Sequence, residues 1–566
     1  MLAVARGDEP ADLLLRGGRV FVPHTREWVD VDLAIADGRV AGWGGRDAHE
    51  VVDVGGAALT PGFIDAHMHL ESTKLWVDEF VRSVLPHGTT AVAADPHEVA
   101  NVFGVRGVAA LADAARSLPF TFGVCASSCV PASPFESPGA EVGVPELEEL
   151  IDDVGSIGVA EVMNFPAVIA GDSEFRAKIA AAGWRRVDGH APGLCGCALD
   201  AYLVAGVESD HESTMLDEFV EKRRKGMWVF IRQGSASQNL CDLIASVLEH
   251  GTDRVALCTD DREPDTLREL GHVNDCVRLA VECGVRAEDA LVMATVNPAE
   301  YHNFHHLGSL GPGYQADVLC FDTLDTWEPA RVWQAGRLVA QHGRMVPGAV
   351  PDSAAPEWMR GSVHLPDVVD AADLTIDPPA SGTAKVIGVT AGSLSTTAMV
   401  VDLGDASVDV ARIAVLERHR RTGRIGLGYA SGFGLQRGAI GSTVAHDAHN
   451  VMLVGTRDTS GPADMAVAAA RLREIGGGQV VVLDGQVLGE VRLPIGGLMS
   501  DRPSSEVADE LTHLVALARR HLGVELAAPF MQLSFLGLSV IPELRLTDKG
   551  LVDVTRFELT GVDGRA

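Results

Sequence analysis

The segment "GFIDAHMHLES", residues 62 to 72, closes an apolar run with His67 and His69 one residue apart. Side chains two apart on a strand point to the same face, so both imidazoles can reach one ion. Taken alone, the pair reads equally well as solvated polarity at a strand end. Four further runs end the same way: Glu161 in "VAEVMN", His190 in "VDGHAP", His211 in "ESDHES" and Asp260 in "LCTDD". Four imidazoles and two carboxylates exceed what one tetrahedral zinc needs, and a carboxylate between histidine sets can bridge two ions. The simplest count is two divalent ions, with Glu161 as the bridge and Asp260 as both ligand and proton acceptor. A carboxylate paired with a neighbouring arginine is the plainer reading of Glu161. Imidazole and carboxylate suit Mn, Fe and Zn alike, so the ligand types leave the metal open.

Something must bring these six residues together. Short apolar runs alternate with amphipathic stretches across the middle of the chain, the mark of parallel β/α units. The strand candidates are "GFIDAHMHL", "GTTAVAADPHE", "FTFGVCAS", "GVAEVMNF", "RRVDGHAP", "GVESDHES", "MWVFIRQGS" and "RVALCTDDR". Eight is the number a closed (β/α)₈ barrel needs, and such barrels work at the C-terminal ends of their strands. Alternating runs before residue 60 and again at 313 to 346 predict a small β-sandwich domain, made by both flanks, into which the barrel is inserted. The Pro- and Ala-rich stretch from about 348 to 384 predicts a linker, and strand and helix signals return beyond it. The expected α/β organisation is therefore a small β domain from 1–59 and 311–347, a TIM-like barrel from 60–310, a linker from 348–384 and a C-terminal α+β domain from 385–566.

Composition narrows the function. The chain has 566 residues, 46% hydrophobic and 22% charged, as a globular protein of more than one domain shows. Its 46 Lys and Arg against 78 Asp and Glu give a net charge of -32, which disfavours nucleic-acid polymers and anionic membranes as partners but not a free base. Nine cysteines in no zinc-like spacing predict buried small side chains in a reducing compartment, not a disulfide framework. Neither a basic leader nor a spanning apolar stretch stands in the sequence, so a soluble cytoplasmic protein is expected. A homo-oligomer, dimer or larger, is the expected assembly.

The "PGFIDAHMHLES" start, the flanking β segments and the late "TDD" resemble the amidohydrolase superfamily of metal-dependent hydrolases. Within it, "VLPHGTTAVAADPHEVANV", "DGHAPGL", "SDHE", "NPAE" and "PFMQLSFLGLSVIPELRLTDKGLVDV" are similar to bacterial adenine deaminases, over about residues 12 to 560. The resemblance implies hydrolytic deamination of adenine to hypoxanthine and ammonia in purine salvage, with two Mn²⁺ or Fe²⁺ ions, Zn²⁺ being the other choice. A metal-activated hydroxide would attack C6 while Asp260 takes and returns a proton. The same machinery acting on another amino-purine or a cyclic amide, and a non-catalytic binding barrel, are the alternatives.

Other strand-end residues are candidate substrate contacts. "DPHE" offers Asp95, His97 and Glu98, either touching a purine or supporting the ligands. "RQGSAS" offers Arg232, Gln233 and Ser235; here Gln233 stands where the resembled family usually has Glu, exchanging an acceptor for an amide that both donates and accepts. A second departure puts Asn274 and Asp275 in place of an Asp-His pair. His446, Asp447 and His449 in "AHDAHN" could form a further metal site, lean over the barrel mouth, or make a hydrogen-bonded turn. His302, His305 and His306 are given no metal role.

Overall fold

All eight runs read as barrel strands form strands in the computed structural model, which describes residues 1–405 and 407–564. They are β1 (Phe63–Met68), β2 (Thr89–Ala94), β3 (Thr121–Val124), β4 (Gly158–Val162), β5 (Arg186–Gly189), β6 (Ser209–Asp210), β7 (Trp228–Arg232) and β8 (Val255–Cys258). Parallel ladders join β1 to β3, β4 to β5 and β6 to β8. Backbone bonds bridge the gaps. Ala126 N donates to Gly158 O at 2.8 Å between β3 and β4, and Glu208 N to Val187 O at 2.9 Å between β5 and β6. Beyond β8, Asp260 N donates to His67 O at 3.1 Å and His69 N to Asp260 O at 3.3 Å. This last pair closes the barrel and sets three ligand candidates side by side. Strands covered on both faces carry unbroken apolar runs, such as "VALC" in β8, where every residue is buried. Gly189 ends β5 because a Cβ there would lie 2.2 Å from Ser209 O on β6, so only glycine lets the two strands meet before His190.

The two flanks form one β domain whose nine strands are linked by continuous hydrogen-bonded pairing. The cause is the long strand Ala11–Val22: its register shifts between Leu15 and Gly18, so it pairs with Ala48–Asp53 along its first part and with Ala58–Pro61 beyond. Val318–Phe321 then pairs antiparallel with Ala58–Pro61, tying the end of the barrel to its beginning. The Pro- and Ala-rich connector contains a short helical turn, Glu357–Met359, and it is anchored: Met359, Val363, Leu365 and Leu374 are buried.

The C-terminal part is an eight-stranded, mainly antiparallel sheet running from Thr396–Asp402 at one edge to Gln486–Arg492 at the other. Helices Ser460–Glu474 and Ser504–Leu517 pack on it. It is docked on the barrel: Ser500 N donates to Lys74 O and Trp76 N to Ser500 O, both at 2.8 Å, just beyond β1. Ile495 and Met499 share one apolar core with Val99 and Val102 of the helix that follows β2.

The cysteines depart from the sequence reading. Cys241, in helix Leu240–His250, and Cys283, just after helix Val273–Glu282, form a disulfide. Cys195 and Cys197 are exposed because they flank the start of a surface helix, Gly196–Val204. Among the described residues, no helix is long and apolar enough to cross a membrane.

Candidate metal centre

Six side chains meet at the C-terminal mouth of the barrel, all buried: His67 from β1, His69 just after it, Glu161 from β4, His190 after β5, His211 after β6 and Asp260 after β8. Glu161 divides its two oxygens between them. Oε1 lies 3.4 Å from His69 Nε2, whereas Oε2 lies 2.6 Å from His190 Nδ1 and 3.3 Å from His211 Nε2. Asp260 Oδ1 sits 3.3 Å from His69 Nε2 and 3.8 Å from His67 Nε2. His67 also stacks on His211, ring centres 3.9 Å apart.

The donor set fits cations. His69 Nδ1 donates to Asp95 O at 3.0 Å, which leaves the Nε2 lone pair pointing into the cluster, where His67 Nε2 lies 3.2 Å away. Two imidazole nitrogens this close, with two carboxylates around them, need positive charge between them. Burial by itself would raise the Glu161 carboxyl, but His190 and His211 outweigh it and hold it well below the usual carboxylate range. Burial likewise opposes charge on Asp260, yet the hydrogen bond to His69 and the Arg232 charge keep it low. Burial and the neighbouring His211 and His69 hold His67 well below its ordinary value, in the neutral form a ligand needs. The set could hold divalent cations, with His67, His69 and Asp260 on one side of Glu161 and His190 and His211 on the other.

Supporting residues fix these positions. Lys222, fully buried, donates to Asp210 Oδ2 at 2.9 Å, to Glu218 Oε1 at 2.6 Å and to Ala191 O at 2.7 Å, holding the chain on either side of His190 and His211. Asp65, buried within β1, accepts from Thr259 Oγ1 at 2.6 Å, and burial pushes its carboxyl up to about 7.

A small cavity of about 30 Å³ lies over the cluster. The barrel gives it His97, Met163, Glu212 and Asp261 besides the ligands, and the C-terminal domain gives Leu394, His446, Asp447, Phe535, Leu538 and Ile541.

Residues 58–339 match the amidohydrolase family and residues 391–558 match the adenine deaminase C-terminal domain. The chain is 41% identical to adenine deaminase 2 of Carboxydothermus hydrogenoformans and 42% identical to the adenine deaminase of Desulfatibacillum aliphaticivorans, in each case over 99% of both chains. The adenine deaminase of Brucella anthropi is 41% identical, again over 99% of both. The chain belongs to the adenine deaminase family.

Within this adenine deaminase-family framework, the remaining sequence candidates separate. His97 lines the cavity, and Glu98 stands behind it against His446, 2.9 Å from Nδ1. Arg232 pairs with Glu212 and donates to Asp260 Oδ2 at 3.0 Å, so it acts on Asp260 and does not line the cavity. Gln233 and Ser235 do not line it either. The chain folds back after β7, with Gln233 N donating to Cys258 O and Ser235 N to Asp261 O, and Ser235 Oγ donates to Thr266 Oγ1 at 2.7 Å. Asn274 and Asp275 are structural: Asn274 accepts from His272 N at 2.8 Å, and Asp275 pairs with the buried Arg262. His302 donates to Ala66 O at 2.7 Å in the barrel interior, while His305 and His306 are exposed. Sequence reasoning missed Glu212, signalled only by its place beside His211, and the apolar wall of the cavity, whose side chains carry no chemical signature.

Proposed function

We propose that this chain hydrolyses adenine to hypoxanthine and ammonia, using two divalent ions held by His67, His69, Glu161, His190, His211 and Asp260, with Mn²⁺ or Fe²⁺ favoured over Zn²⁺. The observation that carries it is the division of the Glu161 oxygens between the His69 side and the His190–His211 side. Bound divalent ions would supply a nucleophile near neutral pH by acidifying a coordinated water. The chain's own groups do the rest. Asp260 keeps Oδ2 on Arg232 and turns Oδ1 to the centre, where it can accept a proton and return it to the purine or the departing amine. Oxygen is gained at C6, the C6–N bond breaks, and nitrogen leaves as ammonia. Met163, Leu394, Phe535, Leu538 and Ile541 give a planar base an apolar slot, and the burial of the cluster keeps bulk water out.

We also place the enzyme in cytoplasmic purine salvage as a homo-oligomer. Sedimentation of the full chain would test the assembly. The activity is tested by ammonia release from adenine, adenosine, cytosine and hydantoin with the Mn²⁺- and Fe²⁺-loaded protein. Adenine should be turned over with the highest kcat/KM; no turnover of adenine beside turnover of another substrate would overturn the proposal.

A further inference from the structure

We propose a third divalent-cation site, set apart from the pair at the strand ends and built by His97 and Glu98 of the barrel with His446 and Asp447 of the C-terminal domain. Two motifs that the deamination chemistry leaves unused meet there. "DPHE" runs into the helix His97–Phe103 after β2, and "AHDAHN" lies on the turn between strands Ala439–Ser442 and Val451–Gly455. His97, Glu98 and His446 each bring a ligand atom within 4.8 Å of the others, and their exposures are 3%, 0% and 4%.

The contacts have a spacing that ligands of one ion would also show. His446 Nδ1 approaches Glu98 Oε1 to 2.9 Å, yet neither Glu98 oxygen takes part in a properly directed hydrogen bond. Two donors about 2.1 Å from a common ion stand about 3 to 3.4 Å apart, close to this separation. His97 meets a carboxylate oxygen at each ring nitrogen, Asp95 Oδ2 at 3.0 Å from Nδ1 and Asp447 Oδ1 at 3.3 Å from Nε2. With Nδ1–H donating to Asp95, Nε2 can serve as a ligand, the ion beside Asp447 taking the place of a ring proton.

Charge gives the same answer. Glu98, Asp261 and Asp447 are buried together, and among the described residues no lysine or arginine pairs with any of them; their ion-pair partners are His97 and His446. His446 Nε2 and Asp447 Oδ2 are also buried without partners. Two imidazoles with carboxylates select a transition ion such as Zn²⁺ or Mn²⁺ over Mg²⁺ or Ca²⁺. The His97 ring separates this site from the first two: Nδ1 is turned to Asp95 and Glu161, Nε2 to Asp447. Because His446 and Asp447 also line the cavity, the ion fixes the C-terminal wall of the pocket against the barrel.

Equilibrium dialysis of the metal-free full chain against Zn²⁺ or Mn²⁺, followed by elemental analysis, tests the site. Wild type should hold three ions and His446→Ala two, while Glu161→Gln should keep the third and lose affinity in the pair. Glu98→Gln, which preserves shape, guards against a misfolded His446→Ala and should also hold two. Two ions in saturated wild type, or three in Glu98→Gln with its native circular dichroism, would overturn the proposal and leave protonated histidines to neutralise the cluster. A failure of the binuclear reading would show differently, as an ion count that Glu161→Gln does not change.

Discussion

Arg232 Nη1 donates to Asp260 Oδ2 at 3.0 Å, while the other oxygen of that carboxylate faces His69 Nε2 at 3.3 Å. The two oxygens therefore have separate duties. Arg232 is itself fixed by Glu212 and by Asn239, which accepts from Nε at 3.0 Å, and Asp260 sits at a φ of 56°, a left-handed conformation that non-glycine residues seldom adopt. Such strain persists where surrounding bonds over-determine it, here the backbone pair that closes the barrel.

Arg232→Gln removes the cation and leaves Asp260 and Glu212 buried side by side. Proton affinity at Asp260 should rise, so the acid limb of the kcat/KM profile should move to higher pH and kcat should fall by about 10- to 100-fold. A pH–rate profile checks both. An unmoved acid limb at wild-type kcat would show that Asp260 is held without the guanidinium.

Glu161→Gln replaces one of two anionic oxygens with an amide nitrogen that cannot ligate. Ion content in the pair should fall below two and turnover by ~100-fold or more, of the size seen when a group needed in the transition state is lost. Elemental analysis beside the deaminase assay reads both quantities; full occupancy at full rate would remove Glu161 from the bridge.

The cavity wall separates two residues that sequence alone could not rank. Phe535 lines the cavity and Gln233 does not. Phe535→Ala should raise KM for adenine by about 10-fold or more, since burial of an aromatic side chain contributes about 1.5–3 kcal/mol. Gln233→Glu should leave the kcat/KM ratio between adenine and 2,6-diaminopurine unchanged, and a shift in that ratio would return Gln233 to the pocket.

The barrel and the clustering of the ligand candidates were legible because both follow local rules. Each strand is a short apolar run, and each ligand candidate lies in or just beyond the C-terminal end of one, so listing strand ends also listed the cluster. The contribution of the C-terminal domain was not legible. Leu394, Phe535, Leu538 and Ile541 are ordinary apolar residues, and only the docking of two domains turns them toward the mouth. Gln233 marks the limit of that rule: a strand-end position suggests a pocket residue, whereas the backbone folds back just after β7 and Gln233 is not among the residues that line the cavity. Cys241 and Cys283 stand 42 residues apart on different helices, a pairing that spacing cannot show.

Lys222→Met should be among the most destabilising single changes near the centre. The ammonium has no exposed surface and serves Asp210 and Glu218, so its loss strands two buried carboxylates. Breaking a buried pair in this way costs about 3–5 kcal/mol. Urea denaturation should show a midpoint well below wild type, and because Asp210 adjoins His211, the pair should also bind its ions more weakly. A change under 1 kcal/mol would mean that water or another cation replaces Lys222.

His302 predicts a dependence on pH. Burial pushes its imidazole down from 6.5 to about 4, and the neutral ring donates to Ala66 O at 2.7 Å. The unfolded chain takes up a proton near 6.5 and the folded chain only near 4, so this contribution is full above 6.5 and is lost as pH falls through that window. The loss amounts to about 3 kcal/mol at most. His302→Asn keeps a donor but does not titrate, and the subtraction cancels the other buried acids and histidines. The stability of wild type minus that of the variant, from urea curves between pH 7.5 and pH 4, should therefore shrink toward acid. A difference constant across that range would place the ordinary imidazole pKa inside the folded barrel and refute the desolvated, neutral His302.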